Sequence, residues 1–269
     1  MKEMEKIGFI GCGNMGGALA KAACKSGDPA RVVLANRTQA KAQALAAELG
    51  CEVGTNRQIA QECQWIFLGV KPQMMADMLA DLAPVLQKRQ TGFVLVTMAA
   101  GLSCEKIAAM AGGEYPVIRI MPNTPAAIGK GVVQICGRGV SPEQLEACKA
   151  ILAPAGLVDE IDEKLIDAAS SVSGCGPAFA YLFIEALADG GVACGLPRDK
   201  ALQYAAQMVA GSAELVLQSG QHPGQLKDAV CSPGGTTIQG VRALEANGFR
   251  SAAMEAVLAA YEKTLGLGK

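Results

Sequence analysis

The chain has 269 residues, enough for one large domain or two modest ones, and its 51% hydrophobic content can bury a sizeable core and excludes intrinsic disorder. Lys and Arg number 24 against 25 Asp and Glu, a formal net charge of −1 with no strongly basic stretch, which argues against a nucleic-acid partner. The ten cysteines never form a C-x-x-C pair and the single histidine is His222, so the sequence shows no local zinc-ligand cluster and no metal is expected; reduced thiols in a cytoplasm are the plain reading.

Taken in chain order, residues 7–10 are an apolar run of strand length, followed by a glycine-rich turn and a helix to about residue 25. Residues 31–35 predict a second strand, and 39–49 a helix that Gly50 ends. Strands are predicted at 65–70 and 93–98 with a helix over 73–88 between them, then at 117–120, 132–135 and 157–161. Continuous apolar runs alternating with helices imply strands covered on both faces, hence a mostly parallel sheet. Ser141-Pro142-Glu143-Gln144 reads as a helix start, with Ser141 as N-cap, Pro142 in the first turn and Gln144 completing a capping box.

Beyond Asp162 the strand signals stop and helices are predicted at 163–170, 177–193, 198–219, 236–246 and 249–265. The longest uncharged run, 168–184, is broken by Gly174, Gly176 and Pro177, so no membrane span is expected. The division falls at 162: an α/β domain over 1–162 and an all-helical domain over 163–269. The helical part carries wide Ala- and Leu-rich faces that include Ala201, Ala205, Met208, Val209 and Ser212. Such faces pack either on a second copy of the chain, giving a homodimer, or on one another and the first domain.

Residues 11–16 read GCGNMG directly after a strand and before a helix. The tight turn needs Gly11, close approach of a pyrophosphate needs Gly13, and helix–strand packing needs Gly16; this is the context of a Rossmann-type dinucleotide domain. Gly11, Cys12, Gly13, Asn14 and Met15 are the candidate cofactor residues there. At the end of the second strand stands Asn36-Arg37-Thr38, where an NAD-preferring site usually has a carboxylate. That favours NADPH, with NADH accommodated; the alternative is a solvated surface arginine. Val70-Lys71-Pro72 and Asn123 (between Pro122 and Pro125) follow two further strands, where open α/β sheets bind ligands. Each is a candidate cofactor contact or an ordinary turn.

Two loops of the helical part carry possible chemistry. SGCGPA at 173–178 puts small residues before a helix, and VCSPGGTTI at 230–238 opens another. The second offers bare N–H groups for a carboxylate with hydroxyls beside them, or it is a glycine-rich connection capped by its own threonines.

GCGNMG at 11–16, VKPQ at 70–73, MPNTPA at 121–126, SGCGPAF at 173–179 and HPGQLKDAVCSPGGTTI at 222–238 together resemble the pyrroline-5-carboxylate reductase family, in the family's order and across nearly the whole chain. The resemblance implies reduction of 1-pyrroline-5-carboxylate to L-proline by NAD(P)H, the last step of proline biosynthesis. It also implies an interlocked helical homodimer, with a decamer built of dimers in some members. Two departures stand out: Cys175 replaces a common serine, and Gly220 stands before Gln221-His222 where some members carry glutamate. On this reading Gly234, Gly235 and Thr236 bind the substrate carboxylate, Thr237 faces the ring nitrogen, Ser232 and Val230 line the site, and Lys71 is a third candidate catalytic residue with Thr237 and Ser232. The competing readings are a hydroxy-acid dehydrogenase or other imine reductase of the same two-domain plan, and a non-catalytic NADP-sensing protein. The first needs a positioned Lys or His base, which 173–185 lacks.

Overall fold

The computed structural model describes residues 5–267. Its elements are β1 (Ile7–Ile10), α1 (Asn14–Lys25), β2 (Val32–Ala35), α2 (Gln39–Leu49), β3 (Glu52–Val53), α3 (Asn56–Glu62), β4 (Trp65–Leu68), α4 (Met75–Leu86), β5 (Val94–Thr97), α5 (Cys104–Met110), β6 (Val117–Pro122), β7 (Gly131–Arg138), α6 (Pro142–Leu152), β8 (Gly156–Glu160) and α7 (Ile166–Ser173). Helices α8 (Gly176–Ala193), α9 (Arg198–Ser219), α10 (Pro223–Val230), α11 (Thr236–Ala246) and α12 (Phe249–Leu267) follow.

The strands form one sheet in the order β3-β2-β1-β4-β5-β6-β7-β8. Neighbours are parallel except β6 and β7, so β7 and β8 run against the rest. Alternation along each strand sends side chains to opposite faces. Ile7, Phe9, Val32, Leu34, Phe67 and Val96 enter one core with α1, α2 and α6, whereas Ile10, Val33, Ile66, Leu68 and Leu95 enter a second with α3, α4 and α5. Two cores on one sheet explain why its inner strands read as unbroken apolar runs. Short β3 and half-exposed β8 close the two edges, which limits edge-to-edge association.

The division of the chain differs from the expected one at 162. One compact unit runs to Cys175 and resumes at Ala260; the other runs from Gly176 to Ala259. The reason is α7, which belongs to the sheet. Ile166 is wholly buried in the second core, and the Asp167 carboxylate accepts from buried Arg119 Nη2 at 2.5 Å. Ser173 Oγ accepts from Gln134 Nε2 at 2.7 Å. Four elements were absent from the sequence reading: β3, α3, α5 and α10. Each has eight residues or fewer, too few for a periodic apolar signal.

The 176–259 unit is built otherwise. Its buried residues are Ala188, Ala201 and Ala205, all small, while Tyr181, Leu182, Leu215, Leu217 and Met254 are more than half exposed. Helices this apolar do not bury their faces within the unit. By length and composition 163–193 also passes for a membrane span, and only 11% of its most apolar window is buried, but the helix is interrupted at Gly174 and Cys175.

Candidate active site

Strands β1 and β4 are neighbours, and the connection leaving β1 turns toward β2 while that leaving β4 turns toward β5, which opens a crevice at their carboxyl ends, where doubly wound sheets take their ligands. Gly11 follows β1 with φ of +100° and donates its N–H to Ala35 O at 2.8 Å. A Cβ on Gly11 would sit 2.6 Å from Gly69 O, one on Gly69 would sit 2.4 Å from Gly11 O, and one on Gly16 would sit 2.0 Å from Gly11 O. These three glycines are fixed by the close approach of two strand ends and a helix. Gly69 stands directly before the candidate cofactor residues Val70-Lys71-Pro72.

Gly13 differs. It is the N-cap of α1 with φ of −71°, and a Cβ there would meet nothing within 4 Å. The protein itself gives no steric reason for glycine, and the space in front of it is open. Helix α1 has no side-chain cap and no acidic residue in its first turn, which leaves the amides of Asn14, Met15 and Gly16 and the positive end of the helix dipole for phosphate. The Cys12 thiol is buried and donates to Ala35 O at 3.5 Å; burial pushes its pKa up to about 11, so it stays neutral beside an anion.

Asn36 and Arg37 have separate tasks. Asn36 Oδ1 accepts from Cys12 N at 3.1 Å and its Nδ2 donates to Thr38 O at 3.0 Å, so this amide braces the glycine loop against the end of β2. Arg37 is exposed and makes no ion pair among the described residues. Lys71 is likewise exposed without an ion pair among the described residues, at the N-cap of the turn Pro72–Met74 that begins after Val70. Asn123 is 8% exposed; its Nδ2 donates to Ser173 O at 2.9 Å and its Oδ1 accepts from Val132 N at 2.9 Å. Expected beside the nicotinamide, this amide ties the end of β6 to β7 and α7.

The second constellation lies in the 176–259 unit. After α10, Gly234 turns the chain with φ of +71°, and Gly235 is the N-cap of α11. No side chain caps α11 and its first turn holds no acid. Thr236 and Thr237 therefore do not cap their own helix, and among the described residues the hydroxyls of Ser232, Thr236 and Thr237 bond to no protein group. The expected set of carboxylate donors needs one correction: Gly235 N–H donates to Ser232 O at 3.0 Å across the turn. The free first-turn amides are those of Thr236, Thr237 and Ile238, the last missed because its side chain carries no polar group. A Cβ on Gly235 would sit 2.4 Å from Ser232 Oγ, so glycine is what lets that hydroxyl lie against the helix start. Val230, at the end of α10, is 66% exposed.

The neighbouring departures have structural occupations. Gly220 ends α9 in the left-handed conformation at φ of +63°, where a glutamate would be strained. His222 caps α10, with Nδ1 accepting from Gly224 N at 3.1 Å and Gln225 completing the capping box. Cys175 is half-buried at the break between α7 and α8.

Comparison with known proteins agrees with both halves. The family model described as pyrroline-5-carboxylate reductase dimerisation matches residues 163–267, and that described as NADP oxidoreductase, coenzyme F420-dependent, matches 6–101. The pyrroline-5-carboxylate reductases of Escherichia coli and Pisum sativum are 40% and 42% identical, covering 98% and 96% of this chain and 99% and 94% of theirs. Among solved structures, a Plasmodium falciparum pyrroline carboxylate reductase with NADP bound superposes with a TM-score of 0.86 at 34% identity, covering 99% of both chains. The Coxiella burnetii pyrroline-5-carboxylate reductase gives 0.90 at 30%, covering 99% of this chain and 100% of that one. These full-length matches show that this chain belongs to the pyrroline-5-carboxylate reductase family, oxidoreductases that reduce 1-pyrroline-5-carboxylate to proline with NADPH.

Proposed function

We propose that the chain carries out the family's reduction with the residues described above in the following roles. The α1 start and Gly13 hold the pyrophosphate, and Arg37 binds the 2′-phosphate that distinguishes NADPH, NADH being the weaker alternative. Lys71 is an exposed cation available to the anionic cofactor, and Val70 and Pro72 shape the strand end around it. When bound, reduced nicotinamide supplies the hydride. The amides of Gly234, Thr236, Thr237 and Ile238 hold the substrate carboxylate, with Ser232 and Val230 lining that site. The Thr237 hydroxyl faces the ring nitrogen. A cyclic imine protonated on nitrogen is already electrophilic at the adjacent carbon, so the protein's work is alignment and support of that proton.

The observation that carries this reading is the start of helix α11, whose first-turn amides, together with the hydroxyls of Ser232, Thr236 and Thr237, have no partner among the described residues. A steady-state assay with pyrroline-5-carboxylate and NADPH or NADH in parallel tests it. Turnover of 2-hydroxy acids with NADP⁺, and none of the imine, would overturn it.

The working unit we infer is a homodimer, the exposed apolar faces of α8, α9 and α12 being covered by a second copy rather than by lipid. The family's dimerisation match over the same residues and the break at Gly174 support this. The decamer built of dimers rests on the family resemblance and is read by light scattering. Ten free cysteines fit a reducing cytoplasm, and the balanced charge fits a small-molecule substrate without nucleic acid.

A further inference from the structure

No ligand cluster is visible in the linear sequence, but the fold assembles one away from the cofactor crevice. Cys104 begins α5, Cys136 lies in β7 and Glu163 follows β8, and their Sγ, Sγ and carboxylate oxygen atoms lie within 4.8 Å of one another. We propose that Cys104, Cys136 and Glu163 form a binding site for a thiophilic divalent metal ion of the zinc class.

Three features support the assignment. The donor set is two thiols and a carboxylate, which suits such an ion and not magnesium or calcium. A tetrahedral ion with bonds of about 2.0–2.3 Å holds its ligands roughly 3.5–3.8 Å apart, so small side-chain rotations of about 1 Å complete the site. There is also a way in: a solvent-open cleft of about 780 Å³ is lined by Cys136 and Glu163 together with Ser141, Glu146, Glu160 and Asp162, the last three paired with Lys149 and Lys164. Water from this cleft supplies the fourth ligand.

Buried Arg119 is the group that could oppose a cation. Its Nη1 lies 3.8 Å from Glu163 Oε1, its Nη2 pairs with Asp167, and its Nε has no partner. Binding releases the two thiol protons to solvent as one divalent ion enters, so the charge facing Arg119 is unchanged by the exchange. Glu163 Oε1 already accepts from Cys104 N at 2.7 Å, which fixes the carboxylate beside the first sulfur as an outer hydrogen bond fixes a metal ligand.

The test uses the reduced full-length protein and Cd²⁺ alone, followed by the sulfur-to-cadmium charge-transfer absorption and by metal content after dialysis. One tightly held Cd²⁺ per chain is expected. Cys104→Ser and Cys136→Ser should each abolish it, and Glu163→Gln should weaken it at least about tenfold. Cys24→Ser, which breaks the other close sulfur pair with Cys51, and Cys194→Ser at an exposed position should leave it intact. Thermal melting keeps the result readable if a variant is weakened: Cd²⁺ should raise Tm in the wild type and in the two control variants, not in the cluster variants. Cd²⁺ binding as tight as the wild type's in Cys104→Ser or Cys136→Ser, or no tightly held Cd²⁺ in a wild type with ten reduced thiols, would overturn the proposal.

Discussion

The sheet unit and the helical unit bury apolar surface by opposite means. In the first, strands of four to six residues present both faces to helices, and their largest side chains, Phe9, Phe67 and Leu34 among them, are wholly enclosed by the same chain. In the second, long helices leave Leu217 82% exposed and Leu182 68% exposed, while only three alanines are buried. Mean composition hides this contrast. The sheet unit buries its apolar area within one chain; the helical unit has its apolar area facing outward, the face that the proposed second copy would cover.

The largest effect should come from charging that outward face. Met208→Asp combined with Leu258→Asp puts two carboxylates on positions half exposed in the single chain, and an unpaired charge buried at an interface costs about 3–5 kcal/mol each. Sedimentation should show monomers without reductase activity that still bind NADPH; an intact, active dimer would break the comparison. Within the sheet unit, Asp167→Asn removes the close partner of buried Arg119. A loss of about 3 kcal/mol is expected, reduced from the fully buried limit because the Asp167 side chain is 25% exposed, and denaturant melting reads it. A negligible shift would mean that α7 does not belong to the sheet unit.

Next in size is Thr237→Val, which deletes a hydroxyl and keeps shape. If this hydroxyl meets the protonated ring nitrogen, kcat should fall about tenfold to a hundredfold, the worth of one hydrogen bond to a charged group, with cofactor affinity and Tm unchanged. Thr236→Val should cost less, because there only the backbone amide acts. Equal kinetics in the two variants would remove the hydroxyl from the mechanism. Gly11→Ala and Gly13→Ala sharpen the contrast between a glycine needed by the fold and one needed by a ligand. The first meets backbone at 2.6 Å and a positive φ and should lose about 1–3 kcal/mol of stability. The second should melt as the wild type does and bind NADPH more weakly. The smallest effect is expected from Arg37→Asp: NADPH KM should rise roughly tenfold while NADH KM changes little, and equal changes would place the 2′-phosphate elsewhere.

Much of this was legible in the sequence, for reasons tied to particular residues. Strands such as Val32–Ala35 and Val94–Thr97 read correctly because both faces are covered, so every position is apolar. Helices Arg198–Ser219 and Thr236–Ala246 were bounded at their observed ends by Pro197 and Gly220 and by the paired glycines Gly234 and Gly235. Asn36 and Asn123 show the limit. Both were recognised as site positions by their place after a strand, but an amide can face a ligand or brace a loop, and only coordinates show their hydrogen bonds to Cys12 and Thr38, and to Val132 and Ser173.

By itself the sequence determined the local periodicities, the glycine-rich turns and the order of the family's motifs, because these depend on neighbours a few residues apart. Tertiary structure decided what depends on residues far apart in the chain. It placed α7 with the sheet through the Arg119–Asp167 pair, 48 residues apart. It set Gly11 against Gly69, spent the Gly235 amide within a turn, and gathered two cysteines and a glutamate that no spacing rule connects. The physical reason is that packing and hydrogen bonding are satisfied in space, and a residue's type limits its partners without naming them.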